Sequence, residues 1–289
     1  MTTPVCLSPL KFYDDISKQY HRRSYAFGHI SPLITQLQYI PPFQFVLSTS
    51  SSGTITLQSA YFRSTETDQQ ISDNLASELL ETGFDIITHH DYKIAVYYGN
   101  LPIQIEKEGQ QYLELNFSNN KTYYSEVFCF TNALSDCLQI EYWNETGNFY
   151  LKDGAVVFPD NFHFKLWLKS EIGKPDYNFE EEGTKRLGYN FIESQVSKKV
   201  YKFNTIVPEF ICDAMRIIRL CDNKLIHGLD EYEALTFEIE VDWQTQGDLA
   251  SVTCEFETDN IIVNLGGFRF DEFKGGDYNQ DYSEDFDNQ

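Results

Sequence analysis

The feature that most constrains the fold is a series of short segments in which apolar and polar residues alternate. In QYLELNF, residues 111–117, Leu113, Leu115 and Phe117 share one side of an extended chain, because successive side chains of a strand point to opposite faces. A similar strand-like pattern recurs in FQFVLSTS (43–50), GTITLQSAYF (53–62), YKIAVYYG (92–99), TYYSEVFCF (122–130), CLQIEYW (137–143), FHFKLWLKS (162–170) and KKVYKFNTIV (198–207). The chain also has 19 Tyr and 23 Phe, which favour strands. The sequence therefore predicts a mainly β fold.

The strand-like segments form two groups, which predicts two β-rich domains. Residues 36–131 combine short strands with turn signals, a spacing typical of an Ig-like β-sandwich. Within this part, ISDNLASELLE repeats apolar residues at helical spacing and predicts one short helix or a connecting turn. Residues 132–267 predict a second β-sheet domain, which ends with strands near 234–243, 249–257 and 260–265 and a hairpin turn at 244–248.

The second domain contains the strongest helical pattern of the chain, in PEFICDAMRIIRLCDN. Apolar residues recur there at i, i+3, i+4, i+7 and i+8, which is one face of an α-helix. Proline suits the first turn of a helix, so Pro208 marks its beginning. We therefore expect an amphipathic helix over residues 208–221, packed on the second sheet.

The two ends of the chain differ from the segments between them. Residues 1–35 carry aromatic and basic residues without a clear period, and we interpret them as an N-terminal arm. Residues 268–289 carry seven acidic residues against two basic ones and few aliphatic residues. This composition predicts an acidic, flexible tail, or one that orders only against a partner.

Charge and hydropathy exclude several classes of function. The net charge of −22 repels phosphate backbones, so we expect no nucleic-acid binding. No apolar stretch reaches the 18 residues of a membrane span, so we expect no membrane insertion. The N-terminus lacks the pattern of a signal peptide, which predicts synthesis and folding in the cytoplasm. The six cysteines form no C-x-x-C pair, and we expect them to be reduced and mostly buried.

The sequence offers no motif for catalysis. It contains no G-x-S-x-G, P-loop, H-E-x-x-H or Rossmann fingerprint, so we predict no enzyme activity, no catalytic residues and no cofactor. His89, His90 and Asp91 are metal-ligand types, but neighbours on a strand point to opposite faces, so we predict no metal site. His163 and His227 are isolated in the sequence and are expected to be structural. Three tryptophans could form a carbohydrate platform as easily as a sheet core: Trp143, Trp167 and Trp243.

The most acidic internal stretch is EIGKPDYNFEEEGTKRLGYNF, residues 171–191. We expect it to be a long loop between two strands of the second domain. Glu180, Glu181 and Glu182 are adjacent, and nothing around them suggests the separate environments that a catalytic acid and base need. Spaced aromatic residues in a long loop instead indicate an interaction element. The candidate partner-binding residues are Tyr177, Phe179, Tyr189 and Phe191.

Four stretches resemble a family of virion structural proteins of tailed phages and prophages of Bacteroides-type gut bacteria. They are YLELNFSNNKTYYSEVFCFTN, EIGKPDYNFEEEGTKRLGYNFIESQVSKKVYKF, VPEFICDAMRIIRLCDN and GDLASVTCEFETDN, and the resemblance covers about residues 36–265. The family is treated as a tail-region component, and it supplies no catalytic residues to carry over.

This resemblance implies a structural or adaptor protein of the tail or baseplate. It also implies a homo-oligomer within the particle, whose partners are other virion tail proteins. The expected location is the virion tail, after synthesis in the host bacterial cytoplasm. The alternative is a carbohydrate- or receptor-binding module of the tail or surface.

Overall fold

The computed structural model describes residues 10–16, 32–48, 53–89, 91–99, 102–103, 105, 107–144, 163–186, 189–243 and 249–265. Strands dominate these residues, which confirms the predicted mainly β class. The strands are Phe12–Tyr13 (β1), Leu33–Gln36 (β2), Phe43–Ser48 (β3), Leu57–Ser64 (β4), Phe84–His89 (β5), Tyr92–Tyr97 (β6), Gly109–Phe117 (β7), Thr122–Thr131 (β8), Leu138–Trp143 (β9), Phe164–Leu168 (β10), Asp176–Arg186 (β11), Tyr189–Pro208 (β12), Asn223–His227 (β13), Glu231–Glu233 (β14), Glu238–Trp243 (β15) and Leu249–Leu265 (β16). Within the described residues the helices are Ala76–Glu81 (α1) and Glu209–Ile218 (α2).

The chain divides into two compact units that differ from the predicted domains. The first unit contains residues 1–174 and 201–259, and the second contains 175–200 and 260–289. The predicted boundary between residues 131 and 132 falls inside the first unit. Residues on both sides of that boundary belong to one hydrophobic cluster, which includes Phe128 and Tyr142. The residues of the first unit that precede position 132 therefore share a core with those that follow it.

Two sheets formed by strands β1 to β8 face each other through aromatic side chains. One sheet has the order β1-β8-β7-β4, with β2 added parallel to β8, and the other has the order β3-β6-β5. The Phe45 ring centroid lies 4.9 Å from that of Tyr123, and the Phe84 ring lies 6.3 Å from Phe117. The Tyr123 hydroxyl also donates a hydrogen bond to the Leu47 carbonyl at 2.8 Å. These contacts bury the apolar faces that the alternating segments predicted.

The N-terminal segment contributes more to the fold than the predicted arm. β1 and β2 both pair with β8, so parts of residues 1–35 belong to the sheet. Leu10 and Leu33 are buried in the core. Strands of two and four residues are too short for a period of two to be recognised, which explains the incorrect prediction. The remaining arm residues, 1–9 and 17–31, and the predicted tail, 268–289, lie outside the described residues.

The predicted amphipathic helix is confirmed as α2. Pro208 is extended and precedes the first helical residue, as its sequence position indicated. The apolar stripe is buried, and Ala214 and Ile218 are fully inaccessible to solvent. The helix ends at Ile218 rather than at the predicted residue 221, and a turn leads into the sheet β10-β9-β13-β14. The short helix predicted in ISDNLASELLE is also confirmed, as α1.

The remaining sheet has the order β11-β12-β16-β15, and the division between the two units falls within β12 and β16. β15 and β16 are antiparallel, with Trp243 opposite Ala250. The predicted hairpin turn at 244–248 lies outside the described residues. β16 is one continuous strand, so the predicted break between 257 and 260 is wrong.

Candidate interaction surface

Residues 176–186 and 189–191 of the acidic stretch lie in a β-ribbon rather than in the predicted loop. β11 pairs antiparallel with the first part of β12, from Asp176 opposite Val200 to Arg186 opposite Tyr189. The register shifts between Glu182 and Gly183, where one extra residue of β12 is accommodated. β11 is the edge strand of its sheet, and no other described strand pairs with it.

The ribbon exposes two aromatic side chains on the same face. Tyr177 and Phe179 are two residues apart on β11, so their side chains point to the same side. Their exposed fractions are 58% and 71%. Lys199 lies opposite Tyr177, and Ser197 lies opposite Phe179. The face therefore combines two exposed aromatic rings with one basic residue, Lys199, and one small polar residue, Ser197.

The carboxylates of the ribbon engage their own cross-strand neighbours. Glu180 Oε1 lies 2.9 Å from Lys198 Nζ, and Glu181 Oε1 accepts a hydrogen bond from Gln195 Nε2 at 2.8 Å. Because successive side chains alternate, Glu180 and Glu182 lie on one face and Glu181 on the other. The three carboxylates therefore do not converge on one point, and the ribbon does not provide a paired acid and base.

The other two predicted partner-binding residues lie on the second strand of the ribbon. Phe191 is opposite Thr184, and Tyr189 is opposite Arg186. The ribbon therefore places all four predicted residues on two hydrogen-bonded strands. The side chains of Tyr189 and Phe191 lie outside the described residues, so only their backbone positions are assigned.

The second unit exposes further apolar side chains on β16. Ile261, Ile262 and Val263 are 38%, 67% and 52% exposed. Successive residues of a strand point to alternate faces, so this run presents apolar groups on both sides of the strand. β-branched residues of this kind favour strands and usually pack on a neighbouring surface.

The three tryptophans do not form the common platform that carbohydrate binding would use. Trp167 is buried, with 3% exposed, and its ring contacts Tyr39 at 5.2 Å. Trp143 stacks on the His163 ring at 4.5 Å. Trp243 is 48% exposed on β15. Each tryptophan therefore has a different environment.

The sheet register brings together charged residues that are isolated in the sequence. Glu141 on β9 lies 3.1 Å from His163 Nδ1, 3.3 Å from Lys165 Nζ and 3.9 Å from His227 Nε2. His227 Nδ1 also lies 3.0 Å from a Glu231 carboxylate oxygen. Sequence reasoning missed this cluster, because its members come from four strands or strand ends. The alternation of Glu141 with buried Ile140 and Tyr142 was the available signal.

The Glu141 cluster forms one wall of a cleft of about 460 Å³. Tyr39 and Tyr98 supply aromatic groups there, while Glu141, His163 and Lys165 supply charge. Gln36 and Gln38 add amide groups. This cleft combines hydrogen-bonding groups with ring faces, which is the arrangement of many small polar-ligand sites.

The remaining candidate ligands are dispersed. His89 ends β5 and Asp91 is exposed, whereas His90 lies outside the described residues. Within the part of the chain that the structure describes, no group of three His, Cys, Asp or Glu residues could hold a metal ion. The five described cysteines are free thiols: Cys129, Cys137, Cys212, Cys221 and Cys254. The sixth, Cys6, lies outside the described residues.

Comparison with family models, curated proteins and solved structures finds no match for this chain. Among the described residues, no helix has the length and apolar character needed to cross a membrane.

Proposed function

We propose that this chain is a structural or adaptor protein of a tailed-phage virion, located in the tail or baseplate and acting through protein–protein contacts. The observation that carries the proposal is the edge strand β11, with Tyr177 and Phe179 exposed on one face. An edge strand presents unpaired backbone groups along one side and is a natural place for a partner strand. The tail location rests on the four stretches that resemble the virion family.

Covering the ribbon with a partner protein should be favourable in free energy compared with leaving it exposed to water. β11 is the edge strand of its sheet, and the side chains of Tyr177 and Phe179 on it are exposed, so a partner that covers these rings adds stability. Burying one exposed ring is worth about 1.5–3 kcal/mol. An exposed carboxylate pair such as Glu180 with Lys198 contributes only about 0–1 kcal/mol. The rings of Tyr177 and Phe179 therefore supply most of the affinity in this proposal, and the charges supply orientation.

We further propose that residues 36–131 form an Ig-like sandwich and that the protein is present in several copies. The facing sheets β1-β8-β7-β4 and β3-β6-β5, joined by aromatic contacts, support the sandwich. A sandwich domain and an exposed edge strand in the same chain suit a component that holds other tail proteins. Each contact of this kind should bury well over roughly 1,000 Å².

The test is to purify tailed particles from an induced host that encodes this chain. Mass spectrometry should detect the chain at a fixed stoichiometry relative to other tail proteins, and a reconstruction should place it in the tail. Covered Tyr177 and Phe179 side chains in that map are the expected result. Particles that assemble fully without the chain would contradict the proposal.

The alternative function is a carbohydrate- or receptor-binding module, and the cleft beside Glu141 favours it. Tyr39 and Tyr98 offer ring faces, and Glu141, His163 and Lys165 offer hydrogen bonds to sugar hydroxyls. Titration with oligosaccharides from the host envelope, followed by NMR, distinguishes the two functions. NMR chemical-shift changes that are confined to residues of the cleft and are lost in the Glu141→Gln variant would support the carbohydrate-binding alternative.

A further inference from the structure

A second cavity lies within the first unit, and none of the residues that line it belongs to the ribbon. Its volume is about 530 Å³, within the range of small-molecule sites. The cavity lies where β2, β8, β10, the end of β12 and the start of α2 meet. Its apolar lining is supplied by Leu33, Ile34, Trp167, Leu168, Ile206, Val207, Pro208, Ile211 and Leu249, among others.

The polar groups of this cavity are few and mostly neutral. Burial raises the pKa of the Cys129 and Cys137 thiols, while the positive charge of Lys169 acts in the opposite direction. Both thiols are therefore protonated at neutral pH, when they are poor metal ligands and poor nucleophiles. Thr131 and Thr205 add hydroxyl groups. The interior is consequently suited to an apolar group rather than to a metal or a covalent reaction.

Lys169 gives the cavity one charged end. Among the described residues that line the cavity it is the only charged one, and its side chain is exposed. It forms no ion pair with any described residue. Glu108 and Asp136 act on the nearby thiols, but more weakly than Lys169 does. In a chain of net charge −22, a lysine that pairs with no described carboxylate and lies beside an apolar cavity is a specific electrostatic feature.

The rim also carries an exposed apolar side chain. Ile206 lines the cavity and is 60% exposed, although its neighbours Thr205 and Val207 are buried. A ligand that fills the cavity would cover this side chain and remove its apolar surface from water. The apolar lining, the exposed Ile206 side chain and the positive charge of Lys169 therefore favour a ligand that has an apolar part and a negative charge.

We propose that this cavity binds an amphipathic monocarboxylate, with its alkyl chain among Leu33, Leu168 and Ile211 and its carboxylate beside Lys169. The apolar lining supplies affinity, and the lysine selects the anion. This site is separate from the ribbon and does not depend on the proposed role of the ribbon.

The test compares three probes with one alkyl chain and different headgroups. Decanoate, decanol and decyltrimethylammonium are titrated below their micelle concentrations by calorimetry, using the full-length protein. Decanoate should bind most tightly, decanol more weakly and the cation most weakly. Lys169→Gln should lower the affinity for decanoate by roughly fivefold, as expected for the loss of a solvent-exposed ion pair, and should leave the affinity for decanol unchanged.

Two further variants separate charge from volume. Ala133 lines the cavity and is exposed, so Ala133→Trp can obstruct the rim without disturbing the core. This variant should weaken decanoate and decanol alike. Lys121→Gln removes a lysine from a distant exposed turn and should change neither.

Three results would overturn the proposal. The first is an absence of decanoate binding up to millimolar concentration. The second is equal binding of the anionic and cationic probes. The third is equal loss of decanoate affinity in Lys169→Gln and Lys121→Gln, which would indicate a general effect of net charge. Circular dichroism of each variant establishes that it is folded.

Discussion

The Tyr39 hydroxyl accepts a hydrogen bond from the backbone N–H of Lys165 at 3.0 Å, across 126 residues of chain. The Tyr39 ring also meets Trp167 edge-on, with the centroids 5.2 Å apart. Burial raises the pKa of Tyr39 well above its usual range, so the hydroxyl remains protonated. Tyr39 precedes residue 131, yet it accepts a hydrogen bond from β10 and packs on it. The predicted boundary at residue 131 therefore does not separate two cores.

Tyr39→Phe should therefore destabilise the first unit by about 1–3 kcal/mol, because the Lys165 N–H loses its partner while the ring contact remains. Chemical unfolding measures the change. Tyr61→Phe is the matched control, since no described residue bonds to the Tyr61 hydroxyl and the loss should be close to zero. Equal effects of the two substitutions would show that the Tyr39 hydrogen bond contributes nothing specific.

Stability should decrease in alkaline solution. Burial raises the pKa of the Cys221 thiol and of the Tyr97 hydroxyl to about 12. In an unfolded chain these groups titrate near about 8.5 and 10. Their contribution is thus complete below pH about 8.5 and is lost as the pH rises towards about 12, because the unfolded state releases the protons first.

Denaturant midpoints measured from pH about 7 to 11 check this expectation. Cys221→Ala should flatten the profile between pH about 8.5 and 10. The control is Cys137→Ala, whose half-buried thiol should matter less. A midpoint that stays constant over the whole range would contradict the prediction.

Ile218→Asp should disrupt the packing of α2. Ile218 is fully buried, and an unpaired carboxylate there would cost several kcal/mol. Arg216→Asp introduces the same residue on the exposed side of the helix and should cost only about 1–2 kcal/mol, through the helix dipole and the lower helix propensity of Asp. Thermal melting distinguishes the two variants. Similar melting temperatures would mean that the helix faces the core differently.

Arg63 and Glu114 form a partly buried pair within the first sheet. Arg63 Nη2 donates to Glu114 Oε1 at 3.2 Å, and this hydrogen bond raises the pKa of the guanidinium. Glu114→Leu should cost about 1–3 kcal/mol, because the arginine loses its partner in a partly desolvated position. The double variant Arg63→Leu/Glu114→Leu should recover part of that loss. A double-mutant cycle measures the coupling, and strict additivity would exclude it.

Aromatic loss on the ribbon should outweigh charge loss. Tyr177→Ser with Phe179→Ser should reduce incorporation of the chain into particles, while the isolated protein remains folded, because both side chains are exposed. Replacing Glu180, Glu181 and Glu182 together by Gln should leave incorporation largely intact, because exposed carboxylates contribute about 0–1 kcal/mol each. Quantitative mass spectrometry of purified particles gives the ranking. The reverse ranking, or a divalent ion bound at micromolar strength and lost with the three Glu, would require a different role for the ribbon.

Local patterns in the sequence were sufficient for the elements with a strong period. The alternation in 111–117 predicted β7, and the apolar stripe after Pro208 predicted α2, because burial of one face requires that spacing. The ribbon was missed for the same reason. The described side chains of β11, residues 176–183, are exposed, and the alternation of Tyr177 and Phe179 ends at the run of three Glu, so the strand is defined mainly by backbone pairing with β12.

The sequence by itself thus determined the mainly β class, the course of most strands and the buried face of the helix. The tertiary structure decided which of those surfaces meet. In the alternating segment 111–117, Glu114 lies on the face opposite Leu113 and Leu115. β7 lies between β8 and β4, and Glu114 is buried there beside Arg63. Likewise, Glu141 meets His163 and His227 only through the register of three strands. Periodicity records how one strand alternates, whereas contacts between strands depend on pairing across long sequence separations, which no local pattern encodes.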